Sequence, residues 1–473
     1  MSEAPTLRFP AAELAAWCNG QWDPAPPDRI SGISNDTRTI EEGDLYAALR
    51  GPRFDGHAYV DEAFEKGACA ALVEAGVERR GTAAQPLLRV AGTGEALADL
   101  GRGYRRRVDP HVIGVTGSVA KTTVKEMIAC ILASVGSTAC SRGNWNNDIG
   151  LPLSLLRMPE GTRFGVFELG SNHPGEIRAL SRILEPDWGV VTLIAPAHLE
   201  FLESLAGVAD EKADLLRALP AGGLAVLNRD TEYYEVLRDA APCRTVTVSR
   251  TIPDADYRCA AYDPVQRSVS IRETGTGEGG EFSAPWLSRH DAFNLALSVA
   301  VSRALGVPWG GVREGITRFR GLPMRGQEEE VGGIRIVNDA YNANPTSMRA
   351  AIAAFSESEG SGQRWLALGD MLEMGEAAQA EHVALGRLIA GGPWAGTVLV
   401  GRYADDTARG AREAGFPADR LFVCRDVASA VATIEEHLRP GDAVLLKASR
   451  GVGLESIVKE MVARSDRAEE REE

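Results

Sequence analysis

The sequence predicts an α/β protein of three domains: a small N-terminal α/β module, a central domain on a parallel sheet, and a C-terminal doubly wound domain. Three observations carry that expectation. The chain has 473 residues, too many for one core, and at roughly 100 to 200 residues per domain the length points to about three. From residue 111, runs that are apolar throughout ("HVIGV", "RFGVFELG", "WGVVTLI", "GGLAVLN") alternate with helical stretches such as "KTTVKEMIACILASV" and "GVADEKADLLRAL". Strands of that kind between helices imply a parallel sheet covered on both faces. After about residue 321 a second series follows, with "IRIVNDA", "RWLALGD", "GTVLVG", "RLFVC" and "DAVLLKAS". The expected limits are 1–107, 108–320 and 321–473.

Taken in order, the first hundred residues mix short apolar runs ("DLYAALRG", "CAALVEAG", "PLLRVAG") with turn residues. The basic stretch "GRGYRRRVDPH" then reads as a linker, a solvated helix end before a proline turn rather than an anion site. The tail "RSDRAEEREE" is nearly devoid of apolar residues, which predicts a frayed or disordered helix. The formal net charge is −15, from 66 acidic and 51 basic residues, and excludes a sequence-independent grip on nucleic acid or an anionic membrane. No run of about 18 apolar residues occurs and the N-terminus lacks a basic segment followed by an apolar one, so a cytoplasmic protein without stable membrane insertion is expected. The seven cysteines (Cys18, Cys69, Cys130, Cys140, Cys243, Cys259 and Cys424) are scattered without a C-x-x-C pair, which predicts reduced thiols rather than a disulfide framework or zinc site.

The chemistry starts at "VIGVTGSVAKTTVKEM", residues 112–127. An apolar strand, a turn over Thr116, Gly117 and Ser118, and an amphipathic helix opening with Lys121, Thr122 and Thr123 give the context of a phosphate loop. N–H groups at the helix start attract phosphate oxygens, a lysine adds a mobile charge, and the next hydroxyl can ligate Mg²⁺. The usual glycines are missing at Val115 and Ala120. A positive φ at Ala120 would carry strain on the order of 1 to 3 kcal/mol. Further strands end in or just before Glu168, His198, Asn228 and Asp230. Ligands bind outside the carboxyl ends of strands in open α/β sheets, so these residues look like Mg²⁺ ligands around a triphosphate. Lys212, taken alone, is an ordinary helix-surface lysine.

In this order "TGSVAKTTVKEM", "GNWNNDIGLPLSLL", "FELGSNHPGEI", "AHLEFLESLAGVADEK", "SRHDAFNLALSVA", "NDAYNANPTSM", "ALGDMLEMGEAAQAEH" and "LLKASRG" run through the chain. They resemble the Mur ligase family, the ATP-dependent amide ligases of peptidoglycan precursor synthesis. Near the N-terminus "NDTRTIEEGDLYAALRGPRFDGHAYV" looks like that family's UDP-sugar module. The resemblance implies a central P-loop-type ATPase domain and a Rossmann-like C-terminal domain. "NDAYNANPTSM" and "LGDMLEMGE" favour the dipeptide-adding branch, whose substrates are UDP-N-acetylmuramoyl-tripeptide (UDP-MurNAc-tripeptide) and D-alanyl-D-alanine.

Carried over residue by residue, the resemblance implies that Lys121 meets the β and γ phosphates of ATP, that Thr122 and Glu168 hold one Mg²⁺, and that His198 ligates a second. Lys212 matches the lysine that reacts with CO₂ to form a carbamate, a metal-binding or orienting anion. Asn294 would meet the adenine, Asp339 the ribose, and Arg325 would reach the phosphates from the C-terminal domain. Asp36, Thr37 and Arg38 match the segment at the uridine diphosphate, Asn146 and Asn147 that beside the muramoyl-peptide, and Asn342, Asn344 and Pro345 that at the dipeptide. A monomer without nucleic-acid partners is expected. Two positions depart from the pattern: Ala120, and Asp291, which stands where the family usually has Asn. Two alternatives remain open at this point: a relative that joins another amino acid or dipeptide to a different carboxylate, and a non-catalytic ATP-binding homologue.

Overall fold

The computed structural model describes residues 9–52, 54–78, 85–196, 199–357 and 362–472. Three main sheets follow one another along the chain. The first has five strands in the order Gln21–Asp23, Leu87–Val90, Ala70–Glu74, Asp44–Ala47 and Gly32–Ser34, parallel except at the Gln21–Asp23 edge. The C-terminal sheet has six, Gln327–Val331, Ile334–Asn338, Ala443–Lys447, Arg364–Gly369, Gly396–Val400 and Leu421–Cys424, parallel after its first pair.

The central sheet has nine strands. From one edge they run Thr138–Cys140, Phe164–Glu168, His111–Thr116, Trp188–Val191, Leu224–Asn228, Arg244–Ser249 and Tyr257–Asp263, all parallel. Ser268–Glu273 and Gly279–Ser283 then extend it antiparallel. That meander goes beyond the parallel sheet expected from the sequence. A connection as short as the one from Asp263 to Ser268 allows only an antiparallel return. In Ser268–Glu273 the buried positions alternate with solvated ones, as a sheet covered on one face requires.

Side-chain alternation along His111–Thr116 shows how the sheet is covered. Ile113 and Val115 pack with Val124, Met127 and Ile128 of helix Lys121–Leu132 and with Leu295 and Val299 of helix Arg289–Ala304. Val112 faces the other way, into a cluster with Leu180 and Leu184 of helix Glu176–Leu184 and Leu215 of helix Leu205–Arg217.

That second cluster also contains Leu14, Leu97, Leu100 and Tyr104, so the N-terminal module and the central domain share one core. Here the reading of "GRGYRRRVDPH" as a linker is corrected. Residues 101–108 are the C-terminal half of helix Thr93–Val108, a helix end before a proline as expected, but not a solvated one, since Arg105 is only 7% exposed. Its guanidinium donates to the carbonyls of Leu184 and Glu185, which end helix Glu176–Leu184, and to Asp187. Carbonyls at a helix end lack intrahelical partners and attract a cation, so a buried arginine is satisfied there. Arg106 pairs with Glu185, and Arg107 with Glu13 and Glu160. Gly101 lies against Pro152 so closely that a Cβ would come within 2.8 Å of its Cα.

The C-terminal tail is helical, within Ser456–Glu472. All seven cysteines are free. Among the described residues no helix is long and apolar enough to cross a membrane.

Candidate active site

Strand His111–Thr116 delivers the chain to a turn whose geometry is demanding. Gly117 has φ 148°, and a Cβ there would sit 2.1 Å from Thr192 Oγ1, so glycine is required. Ala120 is left-handed, φ 66° and ψ 5°, as the N-cap of helix Lys121–Leu132. The missing glycine is therefore met by strain at an alanine, and the loop keeps its shape. Thr116 is fully buried and donates to the Leu169 carbonyl, and Ser118 Oγ donates to that of Ala195. Both hydroxyls brace the turn. Lys121 Nζ donates to the Gly117 carbonyl at 3.0 Å, curled over the loop. Burial and the nearby Arg325 charge lower its pKa, against the pull of Glu168.

Around Thr122 three segments converge. Its hydroxyl donates to Glu168 Oε2 at 2.7 Å, Asn146 Nδ2 donates to Glu168 Oε1 at 2.6 Å, and Arg325 Nη2 donates to Thr122 Oγ1 at 3.1 Å. Glu168 is buried at the end of its strand. Among the described residues no group of three His, Cys, Asp or Glu side chains converges. One carboxylate beside one hydroxyl nevertheless suits Mg²⁺, which keeps several waters and takes its other ligands from phosphates. His198 lies outside the described residues.

Lys212 is not a surface lysine. It is 2% exposed in helix Leu205–Arg217, and its Nζ donates to Ser171 Oγ at 2.5 Å. Burial, reinforced by the like charge of Lys121, pushes its pKa down to about 7 against the pull of Glu211 and Glu176. Glu211 is itself occupied, accepting from the N–H groups of Gly175 and Ile177 at the start of helix Glu176–Leu184. Asn228 and Asp230 do not join the phosphate-loop group, which corrects their reading as Mg²⁺ ligands. The Asp230 carboxylate accepts from Ser249 Oγ, Arg250 N and Thr251 Oγ1, and Asn228 Oδ1 accepts from Asp230 N. The strand-end position was right, but a neighbouring turn takes up the oxygens.

Lys121, Thr122, Glu168, Ser171, Asn228 and Asp230 border a cleft of about 1330 Å³ between the central and C-terminal domains. Asn294 lies in its wall, donating weakly to Asp291 Oδ1 at 3.4 Å. Asp291 pairs with Ser288 in a capping box that starts helix Arg289–Ala304, and its burial raises its pKa to about 6 despite the Ser288 bonds. On the opposite wall Arg325 lies 4.1 Å over the Tyr341 ring, and Asp339 pairs with Lys447 at 2.6 Å. Lys447 also donates to the Asn342 carbonyl. Asn344 caps helix Pro345–Ser356 through Ser347, with Pro345 in its first turn, where a fixed φ favours helix initiation. Asn344 and Pro345 thus set the direction of that wall. Asn147 does similar work, accepting from Gly150 N at the start of helix Gly150–Leu155.

Asp36, Thr37 and Arg38 do not border this cleft. Asp36 caps the short turn Thr37–Thr39, and the Arg38 guanidinium holds its carboxyl down to about 2. Thr37 Oγ1 donates to Glu62. Arg38 points into solvent, 83% exposed at its side chain, in the N-terminal module. Sequence reasoning did not single out Lys447, Tyr341, Arg250, Phe293 or Ser171 in the cleft region. The first could have been found by the strand-end rule, since it closes Ala443–Lys447 just as Glu168 closes its own strand.

A phosphate loop whose threonine meets a carboxylate on one side and an arginine from another domain on the other is suited to moving a nucleotide's phosphoryl group. Its class is that of a multidomain ATP-dependent ligase. Comparison with known proteins agrees. Residues 29–105 match the "Mur ligase family, catalytic domain", 115–302 the "Mur ligase middle domain", and 324–450 the "Mur ligase, glutamate ligase domain". The UDP-N-acetylmuramoyl-tripeptide–D-alanyl-D-alanine ligase of Bacillus subtilis is 35% identical over 437 residues, 92% of this chain and 93% of that protein. Its counterpart in Escherichia coli is 32% identical over 91% and 93%. A crystal structure of MurF from Acinetobacter baumannii superposes with a TM-score of 0.87 at 30% identity, covering 97% of this chain and all of that one. The Thermotoga maritima MurF ligase in complex with ADP gives 0.77 at 26% identity, covering 92% and 97%. The chain belongs to the Mur ligase family, and it is an ATP-dependent enzyme that forms amide bonds.

Proposed function

We infer that this enzyme joins D-alanyl-D-alanine to UDP-N-acetylmuramoyl-tripeptide through an acyl phosphate, in cytoplasmic peptidoglycan precursor synthesis. The observation that carries the chemistry is the Arg325–Thr122–Glu168 chain, which ties a residue of the C-terminal domain to the phosphate loop. The substrates follow from relatives alike over more than nine-tenths of the chain.

In the first step a terminal carboxylate oxygen of the tripeptide attacks the γ-phosphorus, the bond to the β,γ-bridging oxygen breaks, and ADP leaves. In the second the dipeptide amine attacks the acyl-phosphate carbonyl, loses a proton, and inorganic phosphate departs. Lys121 and Arg325 compensate charge on the transferring group, so the rate gain is electrostatic and positional. Thr122 and Glu168 would hold Mg²⁺, with His198 at a second ion, and the metal would supply positive charge that offsets the charge of the phosphates. Lys212, with its pKa near 7, has a neutral amine fraction able to take up CO₂ as a carbamate, which gives this buried position an anion. Water must be kept from the acyl phosphate, hence a site that closes between domains.

In this reading residues 1–107 hold the UDP-sugar, with Asp36, Thr37 and Arg38 at the uridine diphosphate. Residues 108–320 hold ATP, with Asn294 at the adenine, and Asn146 and Asn147 beside the muramoyl-peptide. Residues 321–473 bring Asp339 to the ribose and Asn342, Asn344 and Pro345 to the dipeptide. The test is phosphate release by the purified monomer with ATP, Mg²⁺, both substrates and each omitted in turn. Turnover is expected only with all four, with the pentapeptide product seen by mass. ATP turnover that ignores D-alanyl-D-alanine but responds to another amine would replace this substrate assignment.

A further inference from the structure

We propose that Lys125 is a positioning residue that locks the loop 141–148 to the phosphate loop, so that the nucleotide and the acceptor carboxylate are held in one frame. The inference rests on the reading above that Asn146 and Asn147 lie beside the carboxylate-bearing substrate.

Lys125 sits one helical turn after Lys121, on helix Lys121–Leu132, and it is completely buried. Its ammonium donates to the carbonyls of Ser141, at 2.5 Å, and Gly143, at 3.0 Å, and pairs with Glu126 at 2.8 Å. Three donors thus meet three acceptors, which is the condition for tolerating a buried ammonium. Ser141 and Gly143 open the loop that carries Asn144, Asn146 and Asn147 along the cleft wall. The loop is tied to Glu168 as well. Asn146 Nδ2 donates to Glu168 Oε1, Glu168 N donates to Ser141 Oγ, and Gly170 N donates to the Asn146 carbonyl.

A closed circuit results. It runs from Thr122 to Glu168, through Asn146 and the loop to Lys125, and back along one turn of helix to the phosphate loop. Packing alone does not call for lysine at a fully buried helix position, because an apolar side chain of similar length would fill the space without desolvating a charge. What the ammonium adds is direction: two carbonyls fixed relative to the helix whose first residues grip the nucleotide. A fully satisfied buried network of this kind rigidifies what it joins.

Two substitutions test this. Lys125→Met keeps the length and removes every donor; Lys125→Gln keeps an N–H₂ group that can reach one carbonyl. For Lys125→Met the expected outcome is ADP affinity within ~3-fold of the parent and kcat lowered ~100-fold, the size of effect that an ångström of misplacement produces. The KM for the UDP-linked substrate should rise more than that for ATP, with Lys125→Gln intermediate in both. The companion measurement needs no acceptor: hydrogen exchange of the 141–149 amides with and without ADP and Mg²⁺. Nucleotide should slow exchange in the parent and leave it unchanged in Lys125→Met. Equal protection in parent and variant overturns the proposal, as does a loss of ADP affinity in step with thermal stability, which would mark Lys125 as fold support alone. If exchange behaves as expected while the parent makes no pentapeptide, the substrate assignment has failed and the coupling stands.

Discussion

The two boundaries between the domains are made of opposite materials. Between the N-terminal module and the central domain lies one apolar cluster, in which Leu97, Leu100 and Tyr104 pack with Leu151, Phe167 and Leu215, and the Tyr104 hydroxyl donates to the Met158 carbonyl. Between the central and C-terminal domains, no buried apolar cluster among the described residues joins positions before 323 to positions after 330. That boundary is a cleft crossed by polar contacts: Arg325 to Thr122, Arg267 to Glu328 at 2.7 Å, and Arg289 to Glu357 at 3.3 Å. Water replaces the partners of an exposed ion pair at little net cost, but it does not replace close apolar packing. The first boundary is therefore a weld and the second a joint. The strand into the C-terminal domain begins after Gly321, Met324 and Gly326, all at positive φ, which suits a hinge. A ligase that must admit ATP, close against water and release ADP needs one boundary of each kind.

The largest effect expected from breaking this division lies on the fixed side. Lys212→Ala should lower kcat about 1000-fold, comparable to losing an electrostatic stabiliser from a preorganised site, with partial recovery on adding short carboxylates. Full activity in the unrescued variant would remove Lys212 from the site. The pH dependence has a definite sign. With a folded pKa of about 7 against an ordinary 10.5, the unfolded chain binds more protons between those values, so this group's contribution to stability rises with pH across that window. The neutral amine needed for a carbamate also grows as pH rises through about 7, so activity at limiting CO₂ should climb from pH 6 to 8.

Next, Arg325→Ala removes the contact that the C-terminal domain makes with Thr122 of the phosphate loop. It should lower kcat about 100-fold and leave the thermal transition of the N-terminal and central domains in place. Arg105→Ala attacks the weld instead. Leaving Asp187 and two helix-end carbonyls without their buried partner should cost about 2 kcal/mol. Calorimetry should show the N-terminal and central domains melting earlier as one unit, with the C-terminal transition unmoved; separate melting of the N-terminal module would contradict the shared core. The smallest change is Ala120→Gly. Relief of left-handed strain is worth about 1 kcal/mol, partly offset by added freedom in the unfolded chain. A rise in Tm of a degree or two is expected, with kcat unchanged.

The features legible in the sequence were those with local causes. The alternation of strands and helices, the phosphate loop, Glu168 at a strand end and the strain that a positive φ would place on Ala120 all follow from short-range pattern. Arg105 was misread because its partners, Leu184, Glu185 and Asp187, lie about eighty residues further on, and nothing in "GYRRRV" announces them. Asp230 was misassigned for the same reason: the turn that absorbs its carboxylate is twenty residues away. Lys212 could not be distinguished from a solvated lysine by periodicity, because the resemblance and not the pattern singled it out. Lys125 went unread although it stands in the quoted motif, since a lysine on an amphipathic helix is ordinarily on the wet face.

The weld also sets a schedule for synthesis. Leu97, Leu100 and Tyr104 emerge from the ribosome long before Leu151, Phe167 and Leu215, their partners in the shared cluster. At about 5 to 20 residues per second, the hundred or so residues between Tyr104 and Leu215 take on the order of 5 to 20 seconds to make. For that interval the N-terminal module must hold an uncovered apolar face, so a nascent chain stalled before residue 215 is the form of this protein most exposed to aggregation and most in need of a chaperone.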